Sequence, residues 1–218
     1  MLGNLIAIIT MALLTFKPVS VPTGQPAINE TILATREFSL DKRYAVASVN
    51  EVMKKNILLN LAYMEGTVAQ KSDISWEAIL APATYVFSLA PGQTFAYHED
   101  ILPAYQDSLA LTTKSVFGPG QGFVSDGYLY GDGVCHLASL INWAAQDAGL
   151  EVYVPKDHRS VGPINEVPDE YGVSIYINPV SGVGERNNLY ITNNRDTKVK
   201  FEFKYDGHEL SLKVAQAV

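Results

Sequence analysis

The chain has 218 residues, 47% of them hydrophobic and 18% charged, a composition that packs a globular domain and excludes wholesale disorder or a polytopic membrane protein. A formal net charge of -7, with no Lys/Arg cluster beyond pairs such as Lys54-Lys55, argues against nucleic acid, which needs concentrated positive charge to release counterions from its phosphates. A single cysteine excludes an internal disulfide and Cys-rich zinc patterns, and no cofactor is expected.

The run "MLGNLIAIITMALLTF" opens the chain. It is apolar for about 15 residues, short of the roughly 20 that span a bilayer, and it reads as an export signal or uncleaved anchor. The Pro-rich "KPVSVPTGQPA" after it has the composition of a spacer, so residues 1–27 are set apart from the folded part. From Ser39 to Gly66 the apolar residues Val46, Val49, Val52, Met53, Ile57, Leu61 and Met64 recur at helical spacing. Ser39 is the expected N-cap, Asp41 lies in the first turn, and Gly66 is the stop. A second short helix is expected in "DISWEAILA", capped by Asp73. Residues 28–82 therefore read as a helical region.

After Pro82 the pattern changes to short strands: "TYVFSLA", then "LEVYVP", "VSIYI" and "NLYIT". The clearest is "TKVKFEFKYDGHELSLKV", in which Val199, Phe201, Phe203 and Tyr205 alternate with charged residues and Asp206-Gly207 supplies a hairpin turn. Such alternation means a sheet with one buried and one wet face. The expected fold class is α+β, with a helical layer followed, over residues 83–218, by a mainly antiparallel sheet domain interrupted by one central helix.

That helix begins in "GDGVCHLASLINWAA" and carries the only cysteine. Gly131 and Gly133 flank Asp132 and permit a sharp turn. A thiol at a helix N-terminus feels unpaired N–H groups that favour thiolate, although a nearby Asp132 carboxylate opposes it. Phased on Leu137, Leu140, Ile141, Ala144, Ala145 and Ala148, the helix places Cys135 about 160° from the apolar stripe, on a face with Ser139, Asn142 and Gln146. A cysteine that merely fills the core belongs on the stripe. A nucleophilic cysteine needs a base. His158, after a strand-like run, is the candidate. His136 points about 100° away on the same helix, and His98 and His208 fall in turn-like contexts and read as solvated. A structural thiol, a Cys135-His158 nucleophile and a metal or redox role all remain open on these residues.

The run "GDGVCHLASLINWAAQDAGLEV" resembles the Gly-Gly-Gly-(Ile/Val)-Cys-Gln segment of the VanW family and its "NAA…AGLE" continuation. "FSLAPGQTF" is similar to the family's Pro-Gly-x-Thr-Phe turn, "DHRSVGPINEVP" to its His-Ser segment before Val-Pro, and "NLYITNNRDTKVKFEFKYDGHELSLKV" to its closing strands. The resemblance covers roughly Tyr85 to Val214. His136 stands where the family has Gln, and Arg159 where it has Ser. The family's acidic residue after Val-Pro falls in "DEYGVS", where Asp169 or Glu170 would take its place.

The resemblance implies an exported protein at the bacterial cell envelope. Two functions follow as expectations. The first is a Cys/His-dependent hydrolase or transpeptidase acting on peptidoglycan peptides. Cys135 would be its nucleophile, His158 its base and Asp169 or Glu170 the orienting group, with Gly133 and the helix N–H groups offering an oxyanion site. The second is a non-catalytic module binding a cell-wall peptide or another envelope component, in which Cys135 and the glycines Gly131 and Gly133 shape a groove, with Asp132 and His136 as further motif-shaping residues. Membrane contact is expected only through the N-terminal segment.

Overall fold

The computed structural model describes residues 30–128, 130–178 and 180–217. The apolar N-terminal run lies outside them. The described residues form an α+β fold of two four-stranded sheets and three α-helices. The first sheet is wholly antiparallel, in the order β1 (Glu30–Ser39), β8 (Glu209–Ala217), β7 (Val199–Tyr205), β2 (Ala83–Leu89). The second runs β4 (Leu109–Leu111), β3 (Thr94–Ala96), β6 (Tyr190–Thr192), β5 (Glu151–Tyr153), with only the β3–β4 pair parallel.

Strand β7 obeys its period-2 pattern. Val199, Phe201, Phe203 and Tyr205 are buried, while Lys200, Glu202 and Lys204 face outward. In register with it on β2, Phe87 stacks on Phe201 with ring centroids 4.5 Å apart. On the wet face, Glu202 pairs with both Lys200 and Lys213.

Helix α1 (Ala47–Glu65) runs into the core, so its second half, from Ile57 to Met64, is buried on every side. Gly66 ends it at φ 91°, donating its N–H to the Ala62 and Tyr63 carbonyls in the left-handed conformation that glycine adopts without strain. Its start differs from the sequence expectation, because Ser39 is the last residue of β1. The reason is tertiary. Arg43 is 2% exposed, its guanidinium 4.0 Å from the Phe38 ring centre, its Nε donating to the Ser39 carbonyl and its Nη2 paired with Glu166. Asn50 Oδ1 accepts the N–H groups of Arg43 and Tyr44. These bonds hold residues 40–46 as a turn. The second short helix, α2 (Trp76–Ile79), is capped by the Ser75 hydroxyl rather than by Asp73, whose carboxylate instead accepts the N–H groups of Ala69 and Gln70.

Within residues 28–82 the first described element, β1, is a strand at the edge of the main sheet, and α1 packs on both β2 and α3 (Val134–Asp147). One contiguous core runs from Ala34 to Val214. Helix α3 lies against β1 and β8 through Leu137, Leu140, Ile141, Ala144 and Ala145. No helix among the described residues is long and apolar enough to cross a membrane.

Candidate functional site: the cleft at the start of α3

The turn into α3 depends on its glycines. Gly131 and Gly133 hold φ of 82° and 97°, and a Cβ on Gly133 would stand 2.7 Å from the Met53 carbonyl oxygen. That close approach to α1 is reinforced by Asn56, which donates to the carbonyls of Val124 and Asp132 and accepts the Val124 N–H. Gly133 is the N-cap of α3 and brings no side chain to its first N–H groups.

Cys135 lies in the first turn, off the apolar stripe, yet the face it shares is packed. Residues 173–177, expected as a strand, pair with no sheet; only Val173 makes an isolated bridge, to Asp157. Their N–H groups alternate in partner: Ser174 and Tyr176 donate to the loop carbonyls of Lys156 and Asn187, whereas Val173 and Ile175 donate to side chains of α3. The Cys135 Sγ donates to the Ile175 carbonyl (3.6 Å) and accepts the Ile175 N–H (3.4 Å). The Ser139 hydroxyl accepts the Val173 N–H (2.9 Å), and Asn142 Nδ2 donates to the Tyr171 carbonyl (2.8 Å). Helix positions i, i+4 and i+7 thus serve every second residue of an extended chain running antiparallel to the helix. Burial pushes the thiol up to about 11. The Ile175 N–H opposes this and Asp132 adds to it. Desolvation of the thiolate thus opposes the activation expected from the helix terminus.

Asp132 and His136 carry the unsatisfied chemistry. Asp132 Oδ2 and His136 Nδ1 are buried without a hydrogen-bond partner. Burial, with Asp126 second, raises the Asp132 carboxyl to about 6. His136 is 8% exposed, and burial followed by the charges of Arg43 and His158 lowers its imidazole to about 3, so it is neutral.

His158 is buried in the loop after β5, its Nδ1 2.8 Å from the Gly162 carbonyl and its ring edge-on to His136 at 6.5 Å. The Gly162 carbonyl occupies the nitrogen that an orienting carboxylate would use. Asp169 opens a single 3-10 turn, Asp169–Tyr171, and with Glu170 it is exposed. Two cavities meet at His158. A cleft of about 560 Å³ is bordered by His158, Cys135, His136, Asp132 and both glycines, and a smaller one of about 280 Å³ by His158, Arg159 and Asp169. Cys135 borders only the first and Asp169 only the second.

Of the other histidines, His208 is exposed and sits 2.6 Å from Asp41. His98 is fully buried, contrary to the sequence expectation. Its Nε2 lies 3.1 Å from the Asn187 carbonyl and its Nδ1 accepts the Asp100 N–H. Among the described residues no cluster of His, Cys, Asp and Glu is placed to hold a metal.

The rim of the larger cleft was not foreseen. Six exposed side chains, Tyr44, Val116, Tyr128, Tyr130, Val161 and Tyr176, surround its mouth, and Tyr128 is 91% exposed. Exposed apolar groups gathered at one concavity mark a binding surface. The available signal was "GYLYGDG", tyrosines alternating directly into the glycine turn.

Comparison with family models, with curated proteins and with solved structures finds no match to this chain.

Proposed function

We propose that the protein is an exported, VanW-like cell-envelope binding module that holds wall material in the cleft at the start of α3, with Cys135 as a positioning thiol in the cleft wall. The motif resemblance supports the envelope assignment. One observation carries the non-catalytic reading: both hydrogen-bonding functions of the Cys135 thiol are committed to the Ile175 backbone, while polar atoms of Asp132 and His136 in the same cleft are unpartnered. A thiol titrating at about 11 is thiolate to only about one part in ten thousand at pH 7.

A second reading, Cys/His-dependent hydrolysis or transpeptidation of wall peptides, draws on Cys135 and His158 bordering one cleft. Cys135→Ser separates the two, because a hydroxyl can keep both bonds to Ile175 but is a poor substitute nucleophile. Purified variant and parent are compared for pelleting with cell-wall sacculi and for products from muropeptides, and thiol alkylation is followed against pH. Unchanged pelleting, no product and alkylation rising only above pH 10 are expected. A muropeptide product made by the parent and not by Cys135→Ser would replace the binding module with the enzyme.

A further inference from the structure

The cleft does not end at α3. A shallower groove of about 550 Å³, walled by Lys71, Ile74, Trp76 and Phe123, shares Pro119 and Tyr130 with it, so the two concavities adjoin at those residues, and the pair is termed the trough. Aromatic side chains line both parts: Tyr44, Tyr128 and Tyr176 the cleft, Trp76 the groove, and Tyr130 the two together. Lys55 lies over the Trp76 ring, 5.7 Å from its centre.

The lining narrows the ligand chemistry. Its basic side chains are already engaged, Arg43 by Glu166, Ser39 and Asn165, and Lys71 by the Pro119 carbonyl. An anionic polymer would face Asp132 in the larger cleft, whose one Lys or Arg, Arg43, is paired with Glu166; the charge without an ion pair, Lys71, lies in the groove beyond it. A peptide docking by strand addition needs free backbone at the cleft wall. There the Ile175 N–H goes to Cys135 and the Tyr176 N–H to the Asn187 carbonyl. The orphaned atoms ask for one kind of group. Asp132 Oδ2 accepts when ionised, whereas His136 Nδ1 donates or accepts according to its tautomer. A hydroxyl serves either tautomer. Hydroxyl edges combined with apolar C–H faces that lie flat on tyrosine rings describe a pyranose, and two adjoining concavities describe more than one.

We infer that the trough binds an uncharged pyranose chain, its hydroxyls meeting Asp132 and His136 and its sugar faces stacking on Tyr130, Tyr128 and Trp76. The inference rests on the binding-module reading and names that module's ligand. The same trough would admit a wall glycan or a free oligosaccharide, and the probes below separate these sources.

The test is calorimetric titration of the purified chain with N-acetylglucosamine oligomers of two to six units, beside a wall stem tetrapeptide and intact sacculi. Oligomers are expected to bind, more tightly with each added unit until the trough is filled, and the tetrapeptide is not. Tyr130→Ala and Asp132→Ala are each expected to weaken oligomer binding about tenfold, the loss of one good contact. Tyr128→Ala is the safeguard against a folding artefact, since its side chain is almost wholly in solvent; it should weaken binding several-fold at an unchanged melting temperature, whereas Ile32→Ala on β1 should not. Sacculi that bind while every oligomer fails, or tetrapeptide binding in their place, would overturn the glycan assignment and leave the binding module standing. Failure of oligomers and sacculi together would remove both. Oligomer binding without sacculus binding would keep the pyranose site and point to a free oligosaccharide as its ligand.

Discussion

Two stretches of extended chain in this molecule are satisfied in different ways. Strand β7 lies between β2 and β8, its backbone bonded on both sides to other backbone. Residues 173–177 belong to no sheet: side chains of one helix, Ser139 and Cys135, take the N–H groups of Val173 and Ile175, while the loop carbonyls of Lys156 and Asn187 take those of Ser174 and Tyr176. Backbone ladders accept almost any side chain that suits the two faces of the sheet. A side-chain ladder works only with particular residues at particular helical spacings, so substitutions should separate the two regions.

The largest effect is expected at the centre of the sheet. Phe201→Ala removes a fully buried ring stacked on Phe87 and should cost about 3–5 kcal/mol in denaturant unfolding. A loss below about 1 kcal/mol would mean that the core collapses around the cavity. Gly133→Ala comes next. Positive φ at a non-glycine residue costs about 1–3 kcal/mol, and the new Cβ also collides with the Met53 backbone, so α1 and α3 must separate. A melting temperature equal to the parent's would contradict the close approach.

Ser139→Ala tests the helix-borne ladder itself. It leaves the buried Val173 N–H without its acceptor, at about 1–3 kcal/mol, and should speed hydrogen exchange at Val173 without affecting β7. Uniform loss of protection in both stretches would mean that they unfold as one unit.

The smallest effect concerns Asp132 and depends on pH. Its carboxyl is raised from 3.8 to about 6 in the folded state, so between those values the folded protein holds a proton that the unfolded chain has released. Stability therefore falls as pH rises through that window, and the loss is complete above about 6. Asp132→Asn should melt higher than the parent above pH 6, and the difference should shrink as pH falls toward 3.8. A difference independent of pH would show that the carboxyl is solvated.

The contrast also explains what could be read from the residues alone. The partners of β7 need only the same period-2 pattern, which "VKFEFKY" displays, and the Gly66 stop is local geometry. The "VSIYI" segment has the composition of a strand, but its partners include a helix face whose polar residues looked free for chemistry. Helical phasing set Cys135 apart from the apolar stripe, yet Cys135 packs against the core, and the stripe gave no information on what covers the opposite face. The start of α1 was misplaced because Arg43, Asn50 and Glu166 hold residues 40–46 across a long sequence separation. His98 was misread for the same reason, its partners Asn187 and Asn188 lying far along the chain. The tyrosine rim went unnoticed because its tyrosines come from three separate segments, around Tyr44, Tyr128 and Tyr176, that meet only in the fold.

The pairing of β1 with β8 sets a schedule for the newborn chain. Ser39 must wait for Glu209, and β2 has no partner until β7 has been made. At about 5–20 residues per second the wait for β8 is roughly 10–30 s, during which β1 has an open edge and the apolar faces of α1 and α3 have no complete sheet to cover. The β7–β8 hairpin, a local pairing that closes in microseconds, is the piece both outer strands await. Neither outer strand of this sheet can find its partner before the β7–β8 hairpin exists.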